Sequence, residues 1–213
     1  MSPQADGAPT GGAAGRRSYP KGMRRRQQIL QSAIGLFAQR GVDSASLRTV
    51  GEAIGVSHTA LRHYFSSRDV LLVEVYRSHE ALAIENEPPA EGSAVGLIIE
   101  AAERNRSIPG LVELYATLTT DALQEQRHAV TREFVQDRFR TLRAALAARV
   151  ESGQRAGSIA SDIDPQDAAA LVIAASDGLQ IQWLLDPEAV DVGRSLSLLE
   201  RLLPRDPGPG AAA

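Results

Sequence analysis

The stretch Leu47–Phe65, LRTVGEAIGVSHTALRHYF, constrains this chain more than any other. Its apolar residues recur at helical spacing on both sides of a glycine. Gly55 stands where a tight turn needs a residue that tolerates positive φ. Before it, Val50 and Ile54 share one helical face. After it, Val56, Leu61 and Phe65 return to the same core. Ser57 is a good N-cap for the second helix. The outer face of that helix carries His58, Thr59, Arg62 and His63. A short exposed helix of this composition, held by a small apolar core, suits a DNA major groove.

Charge agrees with that use. The whole chain is −3, but the charge is unevenly spread. From residue 16 to 68, ten Lys/Arg face two acidic residues, a net of +8. From residue 69 onward, thirteen basic residues face twenty-three acidic ones, a net of −10. A basic front and an acidic rear are expected when only one end approaches phosphates. With no cysteine, disulfides, zinc fingers and thiol catalysis are excluded, and a reducing compartment is compatible. The N-terminus lacks an apolar h-region, and no run reaches the 18 apolar residues of a membrane span. The expectation is a cytoplasmic protein without a membrane partner.

Read in order, residues 1–20 are Gly/Ala/Pro-rich and predict a disordered tail. Its Arg16 and Arg17, with Lys21 beyond, either stay solvated or reach DNA. Residues 21–40 predict a helix, with Ile29, Ala33, Leu36 and Phe37 on one face and Gly41 just past its end. The Arg24–Arg26 cluster opposes the helix dipole, which suggests phosphate contact or an ordinary solvated face. Ser46 can cap the next helix, and Ser67 with Asp69 starts a fourth after Phe65.

These parts resemble the TetR family of transcriptional repressors. The resemblance rests on Phe37-Ala38-Gln39-Arg40-Gly41, on Gly55-Val56-Ser57, and on Tyr64-Phe65-Ser66-Ser67-Arg68-Asp69. It covers roughly residues 21–77. Arg62 stands where many relatives carry an aromatic, so an operator sequence does not transfer. The resemblance implies an all-α fold: a three-helix helix-turn-helix domain over 21–68, then a helical effector-binding and dimerisation domain over 69–204. Residues 205–213 read as a second disordered tail.

The rest of the chain is helical in pattern. Pro88-Pro89 and Gly92 interrupt it. Helices follow over 94–106, after Pro109, and over 130–152, the last ended by Gly153 and Gly157. Gln166–Leu185 is apolar on most sides, so it must be buried on most sides. Its length suits a membrane span, but Asp167, Asp177, Gln180 and Gln182 argue against one. This helix and residues 192–203 resemble the pair that forms a four-helix dimer interface in TetR relatives, with Leu196 and Leu199 as interface candidates.

Four histidines without ligand spacing give no metal site. No phosphate loop and no nucleophile motif appear, so neither an enzyme nor a cofactor is expected. His58, Thr59, Arg62 and His63 are candidates for base readout. Ser46, Arg48, Tyr64 and Arg68 are candidates for the DNA backbone, and Ser57 completes the expected DNA-binding set. The resemblance places an effector cavity in the C-terminal domain. Its candidate lining is Leu111, Leu114, Tyr115, Leu118, Phe134, Phe139 and Trp183, with Asp177 or Gln180 as polar handles. A carboxylate on an apolar helix is costly unless paired, so Asp177 faces a ligand, a partner subunit or an arginine. The function expected is a homodimeric, ligand-responsive regulator that binds double-stranded DNA and an unidentified small-molecule effector. The rival is a helical small-molecule-binding or adaptor dimer with a vestigial head.

Overall fold

The computed structural model describes residues 15–43, 46–86, 92–124 and 126–202. Among these the chain is all-α. The elements are α1 (Gly15–Arg40), α2 (Leu47–Ile54), α3 (His58–Tyr64), α4 (Arg68–Asn86), α5 (Ala94–Ser107), α6 (Leu111–Ala122), α7 (Ala129–Arg155), α8 (Pro165–Leu185) and α9 (Val192–Leu202). The expected tails before residue 15 and from 205, and the Pro88-Pro89 break, lie outside the described residues.

Local chemistry sets most boundaries. Ser46 caps α2 by accepting from the Thr49 N–H, while the Thr49 hydroxyl accepts from the Ser46 N–H. Ser57 caps α3 through Ala60, Ser67 caps α4 through Val70, and Asp164 caps α8 through Gln166 and Asp167. Each such cap is worth about 1 kcal/mol. Three boundaries differ from expectation. α1 begins at Gly15, so its first turns reach into the segment read as a disordered tail. α6 starts after Gly110 rather than at Pro109, because Gly110 takes φ 84° and sits against α1. A Cβ on Gly110 would lie 2.8 Å from the Ala38 nitrogen. α7 runs through Gly153 to Arg155, because Ile159 folds back into the space that a side chain at 153 would fill.

Two cores result. The first joins α1, α2 and α3 to α4, α6 and the start of α7, with Phe37, Leu61, Phe65, Leu72, Tyr76, Leu114 and Leu118 fully or nearly fully buried. Burying a Leu or Phe of this kind contributes about 1.5–3 kcal/mol. The boundary expected at residue 68 therefore runs through one continuous core. The second core joins α5, the later turns of α7, α8 and α9, and includes Val95, Leu146, Val150, Val172 and Leu196.

α8 packs inward through Ala168, Ala169, Val172, Ile173, Ser176 and Gln180. Its opposite face is left uncovered within the chain. Leu171, Ile181 and Leu185 are 59%, 48% and 83% exposed, and Ala174 and Gly178 lie between them along the helix. Positions 171, 174, 178, 181 and 185 form one seam at heptad-like spacing. Leu196, an expected interface residue, is instead buried inside the chain, and Leu199 is partly buried against the same core.

Candidate functional site

The head presents α3 as a rod on a small apolar base. Leu61 and Phe65 are fully buried beneath it, while Ser57, His58, Thr59, Arg62 and His63 are exposed. Two backbone features bring α3 to this position. Gly55 closes α2 with φ 68°. Gly51 accepts from the Val56 N–H at 2.8 Å, and a Cβ on it would stand 2.5 Å from the Val56 carbonyl oxygen. The turn thus closes directly onto α2.

The expected backbone-contact residues divide. Ser46 and Arg48 flank the exposed start of α2, where Arg48 pairs with Glu52 at 2.9 Å. Tyr64 is half-buried, edge-on to His63 and tilted against Phe65. Arg68 is turned away from the role expected for it. Its guanidinium donates to Asp121 Oδ2 and to the Val42 carbonyl, both at 3.3 Å. Beside it, Asp69 pairs with His128 Nδ1 at 2.9 Å. The first turn of α4 is thereby clasped by the end of α6 and the start of α7.

The expected effector residues do not share one wall. Leu111, Leu114, Tyr115, Leu118 and Phe134 belong to the first core, Trp183 packs on the second, and Phe139 touches both. Gln180 is satisfied within α8, donating to the Ser176 hydroxyl and carbonyl. Trp183 lies under Arg106, 5.7 Å from ring centroid to Cζ. An open cleft of about 480 Å³ lies elsewhere, between α1 and α4, lined by Arg26, Gln27, Leu30, Glu74, Arg77 and others.

Tyr115 and Asp177 do meet. The Tyr115 hydroxyl donates to Asp177 Oδ2 at 3.3 Å. They belong to a polar cluster that includes three residues absent from the sequence-based list: Tyr76, Glu80 and Arg138. Arg138 donates to the Tyr76 hydroxyl at 3.1 Å and pairs with Glu80 at 3.2 Å. Burial alone would push Arg138 toward neutrality, but the Glu80 carboxylate and the bond to the Tyr76 hydroxyl keep the guanidinium charged. Burial raises the pKa of both phenols, so Glu80 is the counter-charge. The signal for Arg138 was present in the sequence. It lies three residues after Val135 and four before Leu142, on the inner seam of α7.

Burial also raises the Asp177 and Glu80 carboxyls, only partly countered by Arg138. A carboxyl whose folded-state pKa is raised favours folding below its unfolded value and loses that contribution as pH rises through the folded one. Asp177→Asn can still accept from Tyr115 but carries no charge. Its melting temperature, followed by circular dichroism, is expected to fall less than that of the unsubstituted chain between about pH 4 and pH 7. An equal fall would show that Asp177 titrates as in water.

The fold agrees with comparison to known proteins. Residues 29–75 match the family model "Bacterial regulatory proteins, tetR family", and residues 113–205 match "BetI-type transcriptional repressor, C-terminal". The HTH-type transcriptional regulator TtgR of Pseudomonas putida is 28% identical over 195 residues, covering 83% of this chain and 88% of that one. Among solved structures, Salmonella enterica GusR aligns with a TM-score of 0.63 at 25% identity, covering 83% and 92% of the two chains. A transcriptional regulator of Saccharomonospora viridis in complex with choline aligns at 0.67 and 22%, covering 84% and 95%. Two family models, one on the helix-turn-helix head and one on the helical body, together with relatives that span most of both chains, lead to one conclusion: the chain belongs to the TetR family of bacterial transcriptional regulators.

Proposed function

We propose that this regulator is an effector-responsive repressor that acts in the cytoplasm as a homodimer on a near-palindromic operator. The observation that carries the reading is α3. His58, Thr59, Arg62 and His63 are all exposed on one side, while Leu61 and Phe65 are fully buried on the other. These four side chains read base edges. Ser46, Arg48, Ser57 and Tyr64 hold the backbone. Arg68, occupied by Asp121 and Val42, sets the angle of the head instead.

Dimerisation proceeds through the uncovered α8 seam and the adjoining Leu198 of α9, also exposed. The two-fold axis then presents both heads to one face of the duplex, with recognition helices about 34–36 Å apart. The effector acts at the cluster around Tyr115 and Arg138. α6 carries both Tyr115 of that cluster and Asp121 of the clasp on the head. They lie six residues apart, about 9 Å along the helix. A ligand that shifts α6 therefore moves the partner of Arg68. Only a ligand that prefers the shifted state releases DNA.

Selection from random DNA tests the reading. The recovered fragments are expected to share two inverted half-sites one helical turn apart, and affinity is expected to fall log-linearly with salt. Arg62→Ala is expected to relax preference at one position per half-site, by about 1–3 kcal/mol. Fragments without two-fold symmetry would overturn the dimeric reading, and an unchanged preference would remove Arg62 from base readout.

A further inference from the structure

The open cleft of about 480 Å³ between α1 and α4 has the size of a small-molecule site. Every described residue that lines it belongs to one of those two helices. The lining residues recur at three- and four-residue spacing on each helix, so one stripe of α1 faces one stripe of α4. Gln27 donates to the Ser78 hydroxyl across the gap at 2.8 Å. Along α4 the cleft runs from Glu74 to Leu82, eight residues or about 12 Å. Its two ends differ in chemistry.

At the Glu74 end, one carboxylate holds two guanidiniums. Glu74 Oε2 accepts from Arg26, and Oε1 accepts from Arg77 at 3.2 Å. Each guanidinium also lies over a ring. The Arg26 Cζ is 5.4 Å from the Phe65 centroid, and the Arg77 Cζ is 5.1 Å from that of Phe134. Carboxylate and rings together restrain two side chains that would otherwise sample many rotamers. Each arginine spends one nitrogen on Glu74, and its other two have no acceptor among the described residues. The cluster carries a net +1, and α1 adds no acidic residue anywhere along its length. A cation approaching Glu74 meets two guanidiniums already bonded to it. An anion meets four unspent nitrogens in two planar forks. A phosphate has three oxygens with which to reach both forks, where a carboxylate has two. At the other end the wall is apolar, with exposed Ala81 and Leu82 above buried Leu30.

We propose that the α1–α4 cleft is a small-molecule site separate from the helical body, and that it takes a phosphate monoester. The phosphate bridges Arg26 and Arg77, and a short apolar group lies along Leu30, Ala81 and Leu82. The site is independent of the effector-responsive reading above, because it uses neither Tyr115 nor Arg138. Its occupant joins α1 to α4, two helices of the core that carries α3. A ligand held only by the folded chain stabilises it by mass action, so occupancy raises the melting temperature of the head.

The test uses the full, DNA-free chain and three probes: hexyl phosphate, inorganic phosphate and 1-hexanol. Binding is measured by calorimetry. Hexyl phosphate is expected to bind once per chain, at least about tenfold more tightly than inorganic phosphate, which lacks the tail, or hexanol, which lacks the charge. Arg77→Gln removes one fork, and Leu82→Glu sets a carboxylate on the apolar wall. Each is expected to weaken hexyl phosphate binding by about tenfold or more. Both side chains are exposed, so circular dichroism should show both variants folded. Equal binding of hexyl phosphate and hexanol, no binding of hexyl phosphate, or binding that both folded variants leave unchanged would each overturn the site. Operator DNA carries phosphates too, so its affinity for the Arg77→Gln variant is measured against salt. A shallower salt dependence in that variant, with no probe bound by the unsubstituted chain, would assign Arg77 to the DNA backbone and overturn the small-molecule site.

Discussion

Ile181→Glu combined with Leu185→Glu is expected to convert the dimer to a folded monomer and to weaken operator binding by about 10²–10⁴-fold. Both side chains stand on the seam of α8 that no part of the chain covers. An uncovered run of this kind marks an interaction surface. In a two-fold dimer each substitution is counted twice, so four like charges face each other across the axis. The loss on DNA follows without any change in the head. Two linked heads bind successive half-sites with the second contact effectively intramolecular, and a monomer forfeits that advantage. Sedimentation should report the monomer, and circular dichroism should report unchanged helix content. Leu196→Asp provides the contrast. Leu196 is fully buried within the chain, so a carboxylate there is expected to unfold the body, because an unpaired buried charge is not tolerated. Retention of the dimer by the double variant would move the interface away from α8.

Gly51→Ala is expected to destabilise the head and reduce operator binding to the non-specific level, a loss on the order of 10³-fold or more. Helix propensity predicts the opposite sign. Within a helix, Ala is favoured over Gly by about 1 kcal/mol. The close approach of the turn decides against it. The new Cβ would stand 2.5 Å from the Val56 carbonyl oxygen, a backbone atom that cannot rotate away. Relief requires the turn to lift, which also stretches the Val56 N–H bond to the Gly51 carbonyl. Crowding of this kind costs about 1–3 kcal/mol. More important for function, it tilts α3, and a helix displaced by an ångström or two no longer presents His58, Thr59, Arg62 and His63 in the positions proposed above for base readout. Operator binding and a thermal melt of the variant test both parts. A stabilised variant that still binds its operator would show that the turn does not close onto α2 this tightly.

Much of the head was legible because its determinants are local. Ser46, Ser57 and Ser67 announce helix starts by side chains that bond a backbone N–H three residues away. Gly41 and Gly55 announce helix ends, and both take positive φ. The alternation of buried Leu61 and Phe65 with exposed Arg62 and His63 follows from 3.6 residues per turn alone. The body was legible as helices but not as surfaces. Tyr115 and Asp177 were named from the sequence as members of one site, and they do meet. Arg138 escapes a reading of the sequence, because a guanidinium on an apolar seam is an exception until its partners Tyr76 and Glu80 are seen.

The amino-acid order by itself determined where helices start and stop, which face of α3 is polar, and which end of the chain is cationic. Each of these depends on neighbours within a turn or two, or on simple addition of charge. The tertiary structure decided the rest. It gave Arg68 to Asp121, 53 positions away, and Arg138 to Tyr76, 62 positions away. It turned Leu196 inward while leaving Leu171, Ile181 and Leu185 outward. α8 is apolar around most of its circumference, so periodicity names no inner side for it. The inner side is chosen only when α5, α7 and α9 pack against the helix, and the seam they leave bare is the one available to a second copy.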